Sequence, residues 1–217
     1  MEWEKESEGE AMYRIDWGVL KELKIGDQVR EYLERSRLLE LIAAEGPINV
    51  RHLESFYDTV QLTRYHDIDD ACFSFTLDDR PFLCTARRFA IESGLISEEE
   101  GNSEEFGKYE TRVENNFDPH KACRRPTEAG GEWNKSRPIH KDLEEPAMRY
   151  IQFLIAYNLT GRTKNFFIPT IFELWLLDCI KSGKKVNPGT VAYQTIWAST
   201  RKSRRSLRKL GHVIIAG

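Results

Sequence analysis

The spacing of apolar residues changes period along this chain, and each change marks an element. Between residues 27 and 45, Val29, Leu33, Leu39, Ile42 and Ala43 fall on one side of a helix. Asp27 is placed to cap that helix and Gly46-Pro47 to stop it. A second helix, capped by Asn49, carries Leu53, Phe56, Tyr57 and Val60 at the i, i+3, i+4, i+7 spacing of a buried stripe. The period then drops to two: Phe73, Phe75 and Leu77 alternate with smaller residues, which is strand spacing. Asp78-Asp79-Arg80 supplies a turn, and Pro81 to Cys84 return as the second strand of a hairpin. Thr85 caps a helix that runs to Ser93 and ends at Gly94.

The second half returns to helical spacing. Pro146 suits a first turn, and Ala147, Tyr150, Ile151, Leu154, Ile155 and Leu159 form a stripe ending near Gly161. Pro169-Thr170 opens another helix, through Ile171, Leu174, Trp175, Leu177 and Ile180 to Gly183. Asn187-Pro188 opens a third, carrying Val191, Ile196 and Trp197. A lone hairpin is marginal in water and must pack on helices. The expected fold is therefore mainly α: a helical domain with one short antiparallel β-hairpin at about residues 72–84. Four segments are expected. Residues 1–18 are expected to form a flexible acidic lead, and 19–96 a helical part with the hairpin. Residues 97–138 form an acidic loop or linker, and 139–217 a helical bundle with a basic tail. Acids dominate residues 98–118, so low order and few buried side chains are expected there.

Charge sharpens this division. The 217 residues carry a net charge of -3, with 40% hydrophobic and 31% charged residues, which suits a globular chain. The average conceals an asymmetry. Glu2, Glu4, Glu6, Glu8 and Glu10 open the chain, and no acid follows Asp178. The cysteines, Cys72, Cys84, Cys123 and Cys179, form no CxxC pair and read as free thiols. Neither a signal sequence nor an apolar run of about 20 residues is present, so no membrane role is expected. An intracellular location, cytoplasm or nucleus, follows as the expectation.

Chemistry-bearing residues are scattered. Asp67, Asp69 and Asp70 suggest a metal-dependent nuclease, but such closely packed acids more often cap a turn. His120 and Cys123 have ligand-like spacing without a second pair, short of the roughly four ligands a zinc site takes. His52, His66, His140 and His212 make no nucleophile pairing. Gly183-Lys184-Lys185 lacks the rest of a phosphate loop. The chain is expected to be no enzyme and to need no metal or cofactor. Phe172-Glu173-Leu174-Trp175 reads as core, with a peptide pocket as the alternative. Leu159-Thr160-Gly161-Arg162 reads as a helix end, with a phosphate contact at Arg162 as the alternative.

The order of the pieces carries a resemblance. Val50-Arg51-His52-Leu53-Glu54-Ser55-Phe56-Tyr57 precedes Phe73-Ser74-Phe75-Thr76-Leu77, then Phe82-Leu83-Cys84-Thr85-Ala86-Arg87-Arg88-Phe89-Ala90 and Ser93-Gly94-Leu95. Later come Ile139-His140, Met148-Arg149-Tyr150-Ile151, Leu159-Thr160-Gly161-Arg162, Phe172-Glu173-Leu174-Trp175 and Gly183-Lys184-Lys185-Val186-Asn187-Pro188-Gly189. Gly211-His212-Val213-Ile214-Ile215 closes the series. From about residue 50 onward this resembles the first open reading frame product of Athila-type plant retrotransposons, and a related plant transposon protein domain is similar. The resemblance implies a gag-like product with no assigned catalytic residues. The sequence departs from a full gag protein in lacking a zinc knuckle.

Arg201, Lys202, Arg204, Arg205, Arg208 and Lys209 place six cations in nine residues. Such density binds phosphate backbones by counterion release, without sequence preference. A solvated helix end and a nuclear-import signal are the competing readings. The function expected is that of a retrotransposon-derived gag-like structural protein, binding RNA or DNA weakly through these residues and self-associating. The alternative is a non-enzymatic protein-interaction module with no nucleic-acid role.

Overall fold

The computed structural model describes residues 14–43, 50–63, 71–113, 117–119, 138–162 and 164–200. Among them the fold is mainly α with a single small antiparallel sheet. Helix α1 (Trp17–Glu22) starts where Asp16 accepts a hydrogen bond from the Val19 N–H. Ile15 and Leu20 are buried, so ordered packing begins before residue 19.

The helix expected over 27–45 is broken. Its first part, α2 (Gly26–Arg35), starts from Ile25, and Asp27 lies in the first turn rather than at the cap. At Ser36-Arg37 the chain leaves the helix: Ser36 Oγ donates back to the Tyr32 and Leu33 carbonyls, and Arg37 takes φ 63°. The Ser36 carbonyl instead accepts from Val186 N–H, far along the chain. The break turns Leu38, Leu41 and Ile42 into the core, through a short α3 (Leu39–Ile42). Each such side chain contributes roughly 1.5–3 kcal/mol by leaving water, which offsets the interrupted helix. Glu45, Gly46-Pro47 and Asn49 lie outside the described residues.

Helix α4 (Val50–Thr59) buries Leu53 and Phe56 as the stripe predicts. The predicted hairpin is present as β2 (Cys72–Leu77) and β3 (Arg80–Thr85). A short β1 (Gln61–Thr63), not anticipated, pairs antiparallel with β2 and sets the order β1-β2-β3. Beyond the end of β1, α4 takes over: Thr59 Oγ1 accepts from Thr76 N–H at 2.9 Å, and Ser55 Oγ donates to the Thr76 carbonyl at 2.8 Å. Asp78 and Asp79 form the hairpin turn with φ of 47° and 61°, the left-handed pair of a type I′ turn. The inner face of the sheet is aromatic. Phe75 lies between Phe56 and Phe82, and Phe73 between Phe89 and Tyr193.

Thr85 caps α5 (Ala86–Glu92), accepting from Arg88 N–H at 3.1 Å. The acidic segment that follows is more ordered than expected. Ser97 caps α6 (Glu98–Gly101), a 3-10 turn spans Phe106–Lys108, and both Phe106 and Tyr109 are buried. Its acids do not face water alone. Arg37 Nε meets Glu100 at 2.9 Å, Lys185 Nζ meets Glu105 at 2.5 Å, and Lys184 Nζ meets Glu110 at 2.8 Å. Glu110 and Val186 form a parallel bridge. Two aromatic anchors and paired charges explain why an acid-rich stretch folds. Residues 114–116 and 120–137 lie outside the description.

The remaining helices match their signals. Pro146 opens α7 (Pro146–Leu154), which runs into a π-helical turn at Ile155–Leu159. Thr170 and Glu173 form a capping box on α8 (Ile171–Ser182), and Gly183 closes it at φ 71°. Asn187 accepts from Thr190 N–H in the first turn of α9 (Pro188–Thr200). Helix α2 packs on α7 and α8, and α5 packs on α9.

Candidate functional site

The six residues singled out by sequence, Arg201, Lys202, Arg204, Arg205, Arg208 and Lys209, lie outside the described residues. The helix that precedes them in sequence, α9, is described. Helix α9 has no charged residue, and its apolar positions face inward on nearly every side. Its N-terminal end lies so close to α5 that a side chain at Gly189 would collide with the Ala86 carbonyl. Tyr193 sets its ring against Phe73 at 5.3 Å. Trp197 stacks on Tyr193 at 6.2 Å and 21°. Ser199 is still buried, so α9 is packed into its final turn. Trp197 nevertheless keeps 36% of its surface exposed, four residues before Arg201. The apolar stripe expected on this helix had placed Trp197 inside. A helix with no charged residue, buried on nearly every side, gives no clear period from which to read an outward position.

Lys184 and Lys185, which precede α9, are engaged. The hydrogen bond to Glu105 holds the Lys185 ammonium above its usual range, and the same bond holds the Glu105 carboxyl below its own. Lys184 is raised by its bond to Glu110. Gly183-Lys184-Lys185 thus forms a helix cap and two ion pairs rather than a phosphate cradle.

The two motifs Leu159–Arg162 and Phe172–Trp175 meet. Glu173, 0% exposed, accepts from Thr160 Oγ1 at 2.7 Å through Oε1. Its Oε2 accepts from Arg162 at 2.6 Å and from Thr170 N–H at 2.7 Å. Arg162 also donates to the Asn165 and Ile168 carbonyls, at 2.6 and 2.9 Å. Leu174 and Trp175 are buried, as the core reading of this motif expects. His140 completes the frame. Its Nδ1 lies 2.6 Å from Gln152 Oε1, Gln152 Nε2 donates to the Phe166 carbonyl, and His140 N–H donates to the Phe167 carbonyl. The carbonyls of four consecutive residues, 165 to 168, are therefore held. On this fixed backbone Phe166 turns inward against Phe153 and Tyr157, while Phe167, Ile168 and Ile171 stay exposed. Sequence reading missed this surface because Phe167 and Ile168 lie outside any periodic run.

Asp67, Asp69, Asp70, His66, His120, Cys123 and His212 lie outside the described residues. His52 contacts Asp78 at 3.0 Å, tying α4 to the hairpin turn. Among the described residues, no group of three or more His, Cys, Asp or Glu side chains could hold a metal ion. Burial pushes the Cys84 thiol up to about 11. No described helix is long and apolar enough to cross a membrane. No protein-family model matches the sequence, and no curated protein or solved structure shows significant similarity to the chain.

Proposed function

We propose that this chain is a non-enzymatic, retrotransposon-derived gag-like protein that binds single-stranded nucleic acid without regard to sequence. Trp197, 36% exposed on a helix packed to its last turn, carries the reading. Arg201, Arg204, Arg205 and Arg208 follow Trp197 within eleven residues of sequence. An aromatic platform beside clustered cations suits a single strand: bases stack on the ring while guanidinium groups meet phosphates. The order of motifs that resembles the Athila-type products supports the gag-like assignment.

The test is a salt titration of a fluorescent single-stranded RNA. Three or four phosphate contacts on a single strand give a slope of log affinity against log salt of about -2 to -3, with similar affinity for unrelated sequences. No binding by the intact protein at low salt overturns the proposal. The second reading, a protein-interaction module, draws on the exposed Phe167, Ile168 and Ile171. That reading takes the lead if RNA binding is absent.

A further inference from the structure

We propose that β3 is a homodimerisation edge, pairing antiparallel with β3 of a second copy about a two-fold axis at Leu83. The outward groups of β3 follow from its partner strand. Thr76 turns both backbone groups toward α4 and away from β3. Its neighbour across the ladder, Pro81, therefore turns its carbonyl to the open side, because antiparallel ladders alternate bonded and unbonded pairs. By the same alternation Leu83 and Thr85 face outward. Beyond β2, the Pro81 carbonyl, both Leu83 backbone groups and the Thr85 N–H have no partner among the described residues. Leu83 is 77% exposed and Phe82 43% exposed. An open edge with apolar side chains on both faces is a template for strand addition.

Pro81 decides which strand can be added. It lacks an N–H, so most incoming strands would leave an acceptor unpaired opposite it. Antiparallel pairing about Leu83 sets Pro81 opposite Thr85 of the second copy. Thr85 is the N-cap of α5, the position whose carbonyl takes the first helical bond. It needs nothing from Pro81, while its own N–H can donate to the Pro81 carbonyl. Leu83 exchanges both backbone bonds with Leu83 of the second copy. The edge is thus complementary to itself, as a two-fold interface requires. On one face the two Leu83 side chains meet. On the other, Phe82 lies beside Cys84 of the second copy in an unbonded pair, where Cα atoms approach to about 4.5 Å.

Sedimentation velocity on the full chain, without nucleic acid, tests this. The wild type should show a concentration-dependent dimer. Leu83→Lys sets two cations face to face and should raise the dissociation constant at least about tenfold, with an unchanged circular dichroism spectrum. Ile168→Lys, on the other apolar surface, should leave the dimer intact. Phe82→Cys should form an oxidised dimer cross-linked to Cys84, lost when Cys84→Ser is added. Residues 82 and 84 of one strand lie too far apart to bridge within a chain. A wild type that stays monomeric, a dimer that survives Leu83→Lys, or a cross-link that does not involve Cys84 overturns the proposal. None of these results bears on the RNA titration, so the two readings fail separately.

Discussion

Arg162 and Glu173 stand eleven residues apart in sequence and 2.6 Å apart in space, and their contact fixes the loop between them. Glu173 caps α8 and is closed off from water, while the Arg162 side chain remains 15% exposed. A buried carboxylate left without its cation is costly. Arg162→Ala should lower stability by about 3–5 kcal/mol, read as a shift in urea midpoint. Arg162→Lys should recover only part of it, because a single ammonium cannot also hold the Asn165 and Ile168 carbonyls. Proteolysis within 163–170 should accelerate in both variants.

The hairpin turn is strained in a way that one substitution relieves. Asp79 sits at φ 61°, where a Cβ is unfavourable. Asp79→Gly should stabilise the fold by about 0.5–1 kcal/mol, after allowing for the entropy of glycine. Asp78→Gly should gain less, since it also removes the contact with His52. Thermal unfolding of the two variants side by side checks the difference.

The acidic segment and Lys184-Lys185 set a pH response. The Glu105 carboxyl titrates below its ordinary value in the folded chain, held there chiefly by the Lys185 hydrogen bond. Its contribution is therefore complete above the usual carboxylate range and is lost as pH falls through the lowered folded value. Lys184 and Lys185 are raised, so theirs is complete below the usual lysine range and lost only as pH climbs above it. Stability from these pairs should be flat across neutral pH. Glu105→Gln should reduce the loss in acid and leave the neutral plateau nearly level, as measured by urea midpoints across pH.

Signals that are local in the chain were legible. Thr85, Thr170 with Glu173, Pro146 and Gly183 each act within a few residues, and each marks the helix end it occupies. The break at Ser36-Arg37 was not legible, because its partners, Val186 and Glu100, come from distant segments. The order of residues 98–113 was hidden for a related reason. Phe106 and Tyr109 are sparse anchors, and the cations that neutralise the acids lie at 37, 184 and 185. Strand β1 has three residues, too few to display a period of two. The basic residues were plain in the sequence, whereas the exposure of Trp197 came only with the packing of α9.

Trp197 and the arginines should separate in binding experiments. Trp197→Ala should weaken single-stranded RNA binding by about 1–3 kcal/mol and leave the salt slope unchanged, since stacking releases no counterions. Trp197→Phe should restore part of that affinity. Changing Arg204 and Arg205 together to Ala should instead flatten the slope by about 0.7 per lost contact. A flattened slope in Trp197→Ala would show that the indole acts by positioning the cations rather than by stacking.

The hydroxyls of Ser55 and Thr59, closed over Thr76, bear on how far this sheet can grow. A filament of stacked strands needs a free margin on both sides of every unit. Here a helix seals one margin beyond the reach of β1, and β1 itself offers three residues as a template. Among the described residues, only the β3 side has length and exposed side chains to recruit a strand. Once that side is taken, the unit is saturated, so stoichiometry stops at a closed pair instead of running on into a fibre.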